Sequence, residues 1–225
     1  MKMRVVEIAG NLMLKNDALA ARLRGRFAES GTFVVNMLSS PGSGKTTLLE
    51  QTLRRLSSTY RVGALVGDQA TANDSQRLAR SGAPVRQITT GAECRLDAEM
   101  IAKALAGWDA TDLDALFIEN VGNLICPAEY DLGEDLRVAL LSVTEGEDKP
   151  LKYPLAFNSS RLAVITKSDI AEAVGYDRAA ARRCIEQVNP GMAVLELSAR
   201  TGDGMEAWMT LIAERIRSKA FTAAG

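Results

Sequence analysis

One stretch limits what this chain can fold into more than any other: Ser39-Ser40-Pro41-Gly42-Ser43-Gly44-Lys45-Thr46-Thr47. It follows a short apolar run, Phe33 to Leu38, and precedes a leucine-bearing helical pattern that starts near Lys45. Strand, glycine turn and helix in that order are the context a phosphate-binding loop requires. Successive backbone N–H groups in such a turn converge on an anion, and the helix N-terminus adds partial positive charge. Lys45 then reaches the β- and γ-phosphates and the Thr46 hydroxyl is placed to hold Mg²⁺. Gly42 and Gly44 let the backbone approach the phosphates without a Cβ in the way. Pro41, Ser43 and Thr47 complete the cradle. The match to G-x-x-x-x-G-K-[ST] has one departure, Ser39 in place of the first glycine. A nucleotide is the expected ligand.

The 225 residues suffice for a substantial core in one α/β domain. A net charge of −1 gives no electrostatic reason to expect nucleic acid or an anionic membrane as partner. No apolar run approaches a spanning length, and Met1-Lys2-Met3-Arg4 lacks the apolar segment of a signal peptide, so a cytoplasmic location is expected. Three widely spaced cysteines, Cys94, Cys126 and Cys184, argue against a disulfide framework. Histidine is absent, which excludes histidine-dependent acid–base chemistry and every His-ligated metal site within the chain.

Short apolar runs alternate with helical patterns along the rest of the chain. Val5, Val6 and Ile8 suit a short strand or an extended lead-in. Leu12, Leu19, Leu23 and Phe27 mark one amphipathic helix, ended by Ser30-Gly31, either packed on the domain or serving as a docking arm. Strands are expected over 61–66, 84–88, 114–120, 137–143, 161–165 and 193–197. Helices are expected from Lys45 to about Ser57, from Thr71 to Ser81, from about Leu96 to Leu105, from Asp177 to Val188 and from Gly204 to Ile216. A polar loop covers 145–150. This pattern indicates a three-layer α/β fold with a mostly parallel sheet covered by helices on both faces. Residues 1–31 form a helical extension, 32–217 the phosphate-loop domain and 218–225 a frayed tail.

Several strand ends carry polar residues suited to one nucleotide. Asp68 and Glu119 sit where carboxylates would ligate Mg²⁺ or its water, and the Gly122 N–H is placed to sense the γ-phosphate, a contact that vanishes on hydrolysis. Thr166-Lys167-Ser168-Asp169 resembles the Asn-Lys-x-Asp element that selects guanine. The Asp169 carboxylate accepts from guanine N1–H and the 2-amino group together, and adenine offers no such pair. The Lys167 stem can lie over the purine. Ser198-Ala199-Arg200 resembles the Ser-Ala-Lys element, whose backbone N–H groups bind guanine O6. GTP, released as GDP, is therefore expected over ATP. Cys184 reads as a small core residue. Cys94 and Cys126 each follow a polar turn at a strand end. Two thiolates do not complete a four-coordinate site, whereas two copies of the chain bring four together.

Ser39 to Thr46, Gly67-Asp68-Gln69 with Asp74, Glu119-Asn120-Val121-Gly122-Asn123-Leu124 with Cys126-Pro127, and Glu145 to Pro150 together resemble the HypB family of hydrogenase nickel-incorporation GTPases. The similarity runs from about Val5 to Ile216, and the Cys-Pro element separates it from the related urease accessory GTPases. The resemblance implies a P-loop GTPase that forms a homodimer with GTP. It also implies work with a HypA-type metallochaperone to deliver Ni²⁺ to the large subunit of [NiFe]-hydrogenase, through a metal site at the dimer interface. Members usually carry Cys-His at the first metal position. Here it is Cys94-Arg95, and arginine offers a metal no lone pair. Cys94 and Cys126 of both subunits, with Glu93, Asp97 or water filling a remaining position, would then hold Ni²⁺ or Zn²⁺, unless that function is lost. Thr166 for Asn should loosen the base site. In the implied hydrolysis Lys45 and the loop amides offset charge, Thr46, Asp68 and Glu119 hold Mg²⁺, and Asp68 or Asp74 orients the water. No arginine finger is identifiable, so slow turnover is expected. The alternatives are a GTPase chaperone for another metal or cofactor enzyme and a GTP-dependent scaffold for a metallochaperone.

Overall fold

The apolar runs become strands with both faces covered. In the computed structural model, which describes residues 8–68, 73–108 and 112–223, every position of β1 (Phe33–Ser39) is buried. Alternate side chains of β1 enter different cores. Phe33, Val35 and Met37 pack with α2 (Lys45–Leu56) and α9 (Met205–Ala223), while Val34 packs with α1 (Ile8–Glu29) and α4 (Ala98–Leu105). That period of two with no polar face is what a strand covered by helices on both sides needs.

The remaining strands are β2 (Val62–Asp68), β3 (Val85–Thr89), β4 (Ala115–Gly122), β5 (Leu136–Ser142), β6 (Leu162–Thr166) and β7 (Ala193–Glu196). They pair in the order β3-β2-β4-β1-β5-β6-β7, and every pair is parallel. The chain leaves β1 toward β2 and β4 on one side and returns to β5, β6 and β7 on the other. The crevice at such a reversal, outside the C-terminal strand ends, is where open α/β sheets bind ligands.

Several boundaries differ from those expected. Val5 and Val6 lie outside the described residues, and Ile8 belongs to α1 rather than to a strand. In α1 the packed face is Asn16, Ala20, Leu23 and Phe27, while Leu12 is 54% exposed. Asn16 accounts for this shift. Its amide spans both neighbours, donating to the Asp131 carbonyl at 2.9 Å and accepting from Ala98 N–H at 2.9 Å. Arg24 adds an ion pair to Asp131 at 2.6 Å.

The tail expected to fray from 218 is helical to Ala223. Trp208, Ile212 and Ile216 bury one face of α9, and Lys219 extends that anchorage by one turn through Asp135 at 2.6 Å. Residues 71 and 72 lie outside the described set, and α3 runs from Asn73 to Ala79. Helix α4 starts at Ala98 because Asp97 caps it, accepting from Met100 N–H at 2.8 Å. The polar loop ends in two single-turn helices, α6 (Lys149–Lys152) and α7 (Pro154–Asn158), and Cys126 opens a third, α5 (Cys126–Glu129). Helix α8 (Arg178–Val188) is capped by Asp177.

Candidate functional site

Two adjoining cavities of about 470 and 460 Å³ open at the crevice, together large enough for a nucleotide. The first is lined by Pro41 to Thr47, Asp68, Asp74, Glu119 and Gly122. The second is lined by Thr166, Lys167, Asp169, Ser198, Ala199 and Arg200. Gly44, Thr47, Arg77 and Lys167 line both. Every residue expected to meet the nucleotide or its Mg²⁺ lies on these walls. The strand order causes this: β2 and β4 carry the acidic groups to one flank of the β1 loop, and β6 and β7 carry Lys167, Asp169 and the Ser198 turn to the other.

Gly44 caps α2 with φ of 91°, a conformation open to glycine and costly for residues with a Cβ. Lys45 is buried, and its Nζ donates to Ser39 Oγ at 2.8 Å. Ser39, the departure from the motif, thus gives the ammonium a local partner. Burial pulls Lys45 below its usual basicity, against the nearby Glu119, Asp74 and Glu145 carboxylates. Thr46 Oγ1 donates to Glu119 Oε1 at 2.6 Å, whereas the buried Glu119 Oε2 has no partner among the described residues. Burial pushes the Glu119 carboxyl up to about 7, although Lys45 and the Thr46 hydroxyl draw it down. A buried carboxylate oxygen left unsatisfied beside the Thr46 hydroxyl is the kind of oxygen donor Mg²⁺ takes, with phosphate oxygens and waters to complete its shell. Gly122 lies directly on the loop: a Cβ there would sit 2.9 Å from Pro41 Cγ and 3.0 Å from Pro41 Cα.

On the other flank, Thr166 Oγ1 donates to the Ser43 carbonyl at 2.6 Å. The threonine that stands for asparagine therefore ties the base site to the phosphate loop. Lys167 adopts φ of 60°, the one non-glycine positive φ among the described residues, and backbone held in that region is a feature of ligand clamps. The Ser198 hydroxyl holds the Asp169 carboxyl below its usual range, and the Arg200 guanidinium, at 2.8 Å from Oδ2, adds to it. One expectation needs correction. The Ser198 N–H is committed to the Asp203 carbonyl at 2.8 Å, because the turn after β7 closes on itself. The amides left without a protein partner among the described residues are those of Ala199 and Arg200.

Cys94 and Cys126 meet although 32 residues separate them in the chain. The Cys126 contact and burial push the Cys94 thiol up. Cys184 is on α8, away from them. Arg95 turns from the thiols, stacking on the Tyr130 ring at 4.1 Å and pairing with Glu93 at 2.9 Å. Glu93 is thus engaged by Arg95 and Asp97 by its helix cap, so neither stands ready as a third ligand. Among the described residues no group of three or more His, Cys, Asp or Glu side chains is arranged to hold a metal.

Residues 33–196 match the CobW/HypB/UreG nucleotide-binding domain. The hydrogenase maturation factor HypB of Escherichia coli K12 is 47% identical over 206 residues, 92% of this chain and 71% of that one. The chain belongs to the HypB family. A crystal structure of HypB from Archaeoglobus fulgidus matches at a TM-score of 0.84 and 41% identity, covering 90% of this chain and 99% of that one. HypB from Helicobacter pylori, solved in complex with nickel, matches at 0.85 and 37%, covering 92% and 97%. Membership makes the chain a P-loop nucleotide-hydrolase relative and a member of a hydrogenase maturation family. No described helix is long and apolar enough to cross a membrane.

In this HypB-family chain three residues that the sequence showed only as parts of family motifs, with no role attached, support the site. Glu145 Oε2 accepts from Ser43 Oγ and from Ser142 N–H, both at 2.8 Å, so the end of β5 braces the phosphate loop. Burial opposes its charge, but these hydrogen bonds prevail and hold its carboxyl below the usual range. Asn120 accepts from Leu96 N–H at 3.2 Å and donates to Asn36 at 3.3 Å. Asn123 donates to the Cys94 carbonyl at 3.2 Å, accepts from Ile125 N–H at 2.9 Å, and bridges Ser39. Asn123 thereby joins the phosphate loop through its backbone to both cysteine turns through its side chain. Their place in family motifs at strand ends was the signal in the sequence, and it did not show what they touch.

Proposed function

We propose that this chain hydrolyses GTP and uses the nucleotide to pair two copies around a thiolate site that passes nickel onward during [NiFe]-hydrogenase maturation. What carries the reading is the pair of adjoining cavities, one walled by phosphate-loop groups and the other by Asp169 and two unpartnered amides. In the second cavity guanine N1–H and its 2-amino group donate to Asp169, and O6 accepts from Ala199 and Arg200. The Lys167 stem covers the ring.

Water attacks the γ-phosphorus as the bond to the β–γ bridging oxygen breaks. The electron pair stays on GDP, and the water's oxygen becomes part of inorganic phosphate. Lys45 and the loop amides offset the charge that develops. Thr46, Asp68 and Glu119 would hold Mg²⁺, which when bound neutralises phosphate charge. Asp68 or Asp74 orients the water. Gly122, against Pro41, senses the γ-phosphate. Asn123 links that loop to Cys94 and Cys126, so loss of the γ-phosphate loosens the thiol site.

Nickel is cargo. A single copy supplies two thiolates, and Cys94 and Cys126 from each of two copies supply four, a set that also suits Zn²⁺. The nickel in the Helicobacter pylori relative supports the choice of metal. A HypA-type metallochaperone as donor, the hydrogenase large subunit as recipient, and a cytoplasmic setting complete the proposal. In it, residues 1–31 brace a GTPase domain spanning 32–217.

Phosphate release from GTP with Mg²⁺, paired with metal content by mass spectrometry, tests both halves. Native protein should release phosphate slowly and carry Ni²⁺ or Zn²⁺ in its GTP-bound dimer, and Cys94→Ala and Cys126→Ala should each lose the metal. Unchanged metal in both variants removes the thiols from the site, and absent phosphate release removes the GTPase.

A further inference from the structure

Arg77, on α3, is used by nothing described so far. It lines both cavities, and the other residues common to the two are Gly44, Thr47 and Lys167. Its place is therefore the seam where the phosphate chain passes from the loop toward the base. Its Nε donates to Glu50 Oε2 at 2.7 Å. Glu50 stands on α2, five residues after Lys45, and its side chain is only 13% exposed. Arg54 reaches the other Glu50 oxygen at 3.4 Å.

The form of this contact is informative. Arginine–carboxylate pairs are frequently bidentate, with two N–H groups of the fork on the carboxylate. Arg77 gives Glu50 only Nε, and its two terminal nitrogens have no protein partner among the described residues. The guanidinium is fixed at one corner with its donors still to be used, in a wall built for phosphates.

We propose that Arg77 is a catalytic arginine supplied within the same chain, donating to the phosphate chain of the bound nucleotide, with Glu50 as its positioning residue. The inference rests on the GTPase reading above and deepens it. As the bond from γ-phosphorus to the bridging oxygen breaks, negative charge moves onto the oxygens of the departing GDP. The terminal N–H groups of Arg77 meet that charge, which is smaller in the ground state, so the contact favours the transition state over bound GTP. Sequence alone identified no such arginine: Arg77 comes from α3, on the chain that follows β2, and only the folded seam singles it out.

Single-turnover GTP hydrolysis and the affinities of GDP and a non-hydrolysable GTP analogue would be measured for native protein, Arg77→Ala, Arg77→Lys and Glu50→Gln. Arg77→Ala should slow hydrolysis about tenfold or more, with the analogue's affinity held within about threefold and that of GDP, which bears the charge in full, falling by more. Arg77→Lys should fall between, since a point charge replaces the fork. Glu50→Gln should fall between as well, with its unfolding temperature near that of native protein. Hydrolysis at the native rate in Arg77→Ala and Arg77→Lys overturns the proposal, as does a rate loss matched by equal losses of GDP and analogue affinity. Native protein that releases no phosphate from GTP defeats the underlying reading and this inference together, a result distinct from native-like hydrolysis in the variants.

Discussion

Glu119 carries an electrostatic cost of burial that its neighbours only partly offset. Burial raises its carboxyl to about 7, so in the nucleotide-free protein it takes a proton that the unfolded chain, with an ordinary glutamate near 4.5, has already released. Between those values the folded state binds more protons, and stability falls as pH rises toward 7. Above 7 the cost of the buried charge is fully present. Glu119→Gln should remove that slope and raise the unfolding temperature at pH 8 by a few degrees, at roughly 2–4 °C per kcal/mol for a chain of this size. The same variant should lose Mg²⁺-dependent hydrolysis. Thermal scans from pH 5 to pH 8 check the first outcome and phosphate release the second. Gly122 offers a steric counterpart. A Cβ 3.0 Å from the Pro41 backbone obliges the loop or the end of β4 to shift. Gly122→Ala should therefore weaken the GTP analogue by about tenfold, roughly 1.4 kcal/mol, and GDP by less, as read by titration calorimetry.

At the scale of elements, the C-terminal turns of α1 and α9 pack at the N-terminal ends of the strands, away from the residues that line the two cavities. Phe27 is buried among Leu96, Ile101, Leu105 and Leu113 side chains. Phe27→Ala should cost about 3–5 kcal/mol in urea unfolding while leaving the affinity for nucleotide in the folded protein unchanged. The elements legible in the sequence were those whose burial is continuous. A parallel strand such as β1 or β4, apolar on both faces, declares itself by composition alone. Single-turn helices lack such a pattern, and α5, α6 and α7 owe their starts to Pro127, Pro150 and Pro154 in their first turns. Leu12 misled because spacing identifies a face without saying where the partner surface ends. The frayed tail misled because Lys219 and Asp135, 84 residues apart, meet only in the fold.

Across the whole molecule, strand order turns separate motifs into one site. Each polar strand end was legible, and spacing within a loop put Lys45, Thr46 and Asp169 on the cavity walls. What faces what was not. Glu145 under the loop, Asn123 between the cysteine turns and Arg77 at the seam depend on neighbours brought together by the order β3-β2-β4-β1-β5-β6-β7. The Ser198 amide shows the reverse limit, since a motif that matched in sequence is partly consumed by its own turn. The account stands on one recognition event, the pairing of the Asp169 carboxylate with the donor edge of guanine. Competition against a fluorescent GDP measures it directly, in native protein and in Asp169→Asn. GTP should displace the probe at least a hundredfold more effectively than ATP. The variant should lose that preference and gain affinity for xanthosine triphosphate, whose C2 carbonyl accepts from the new amide. ATP displacing the probe as well as GTP does, or a variant that binds GTP like the native chain, would contradict it.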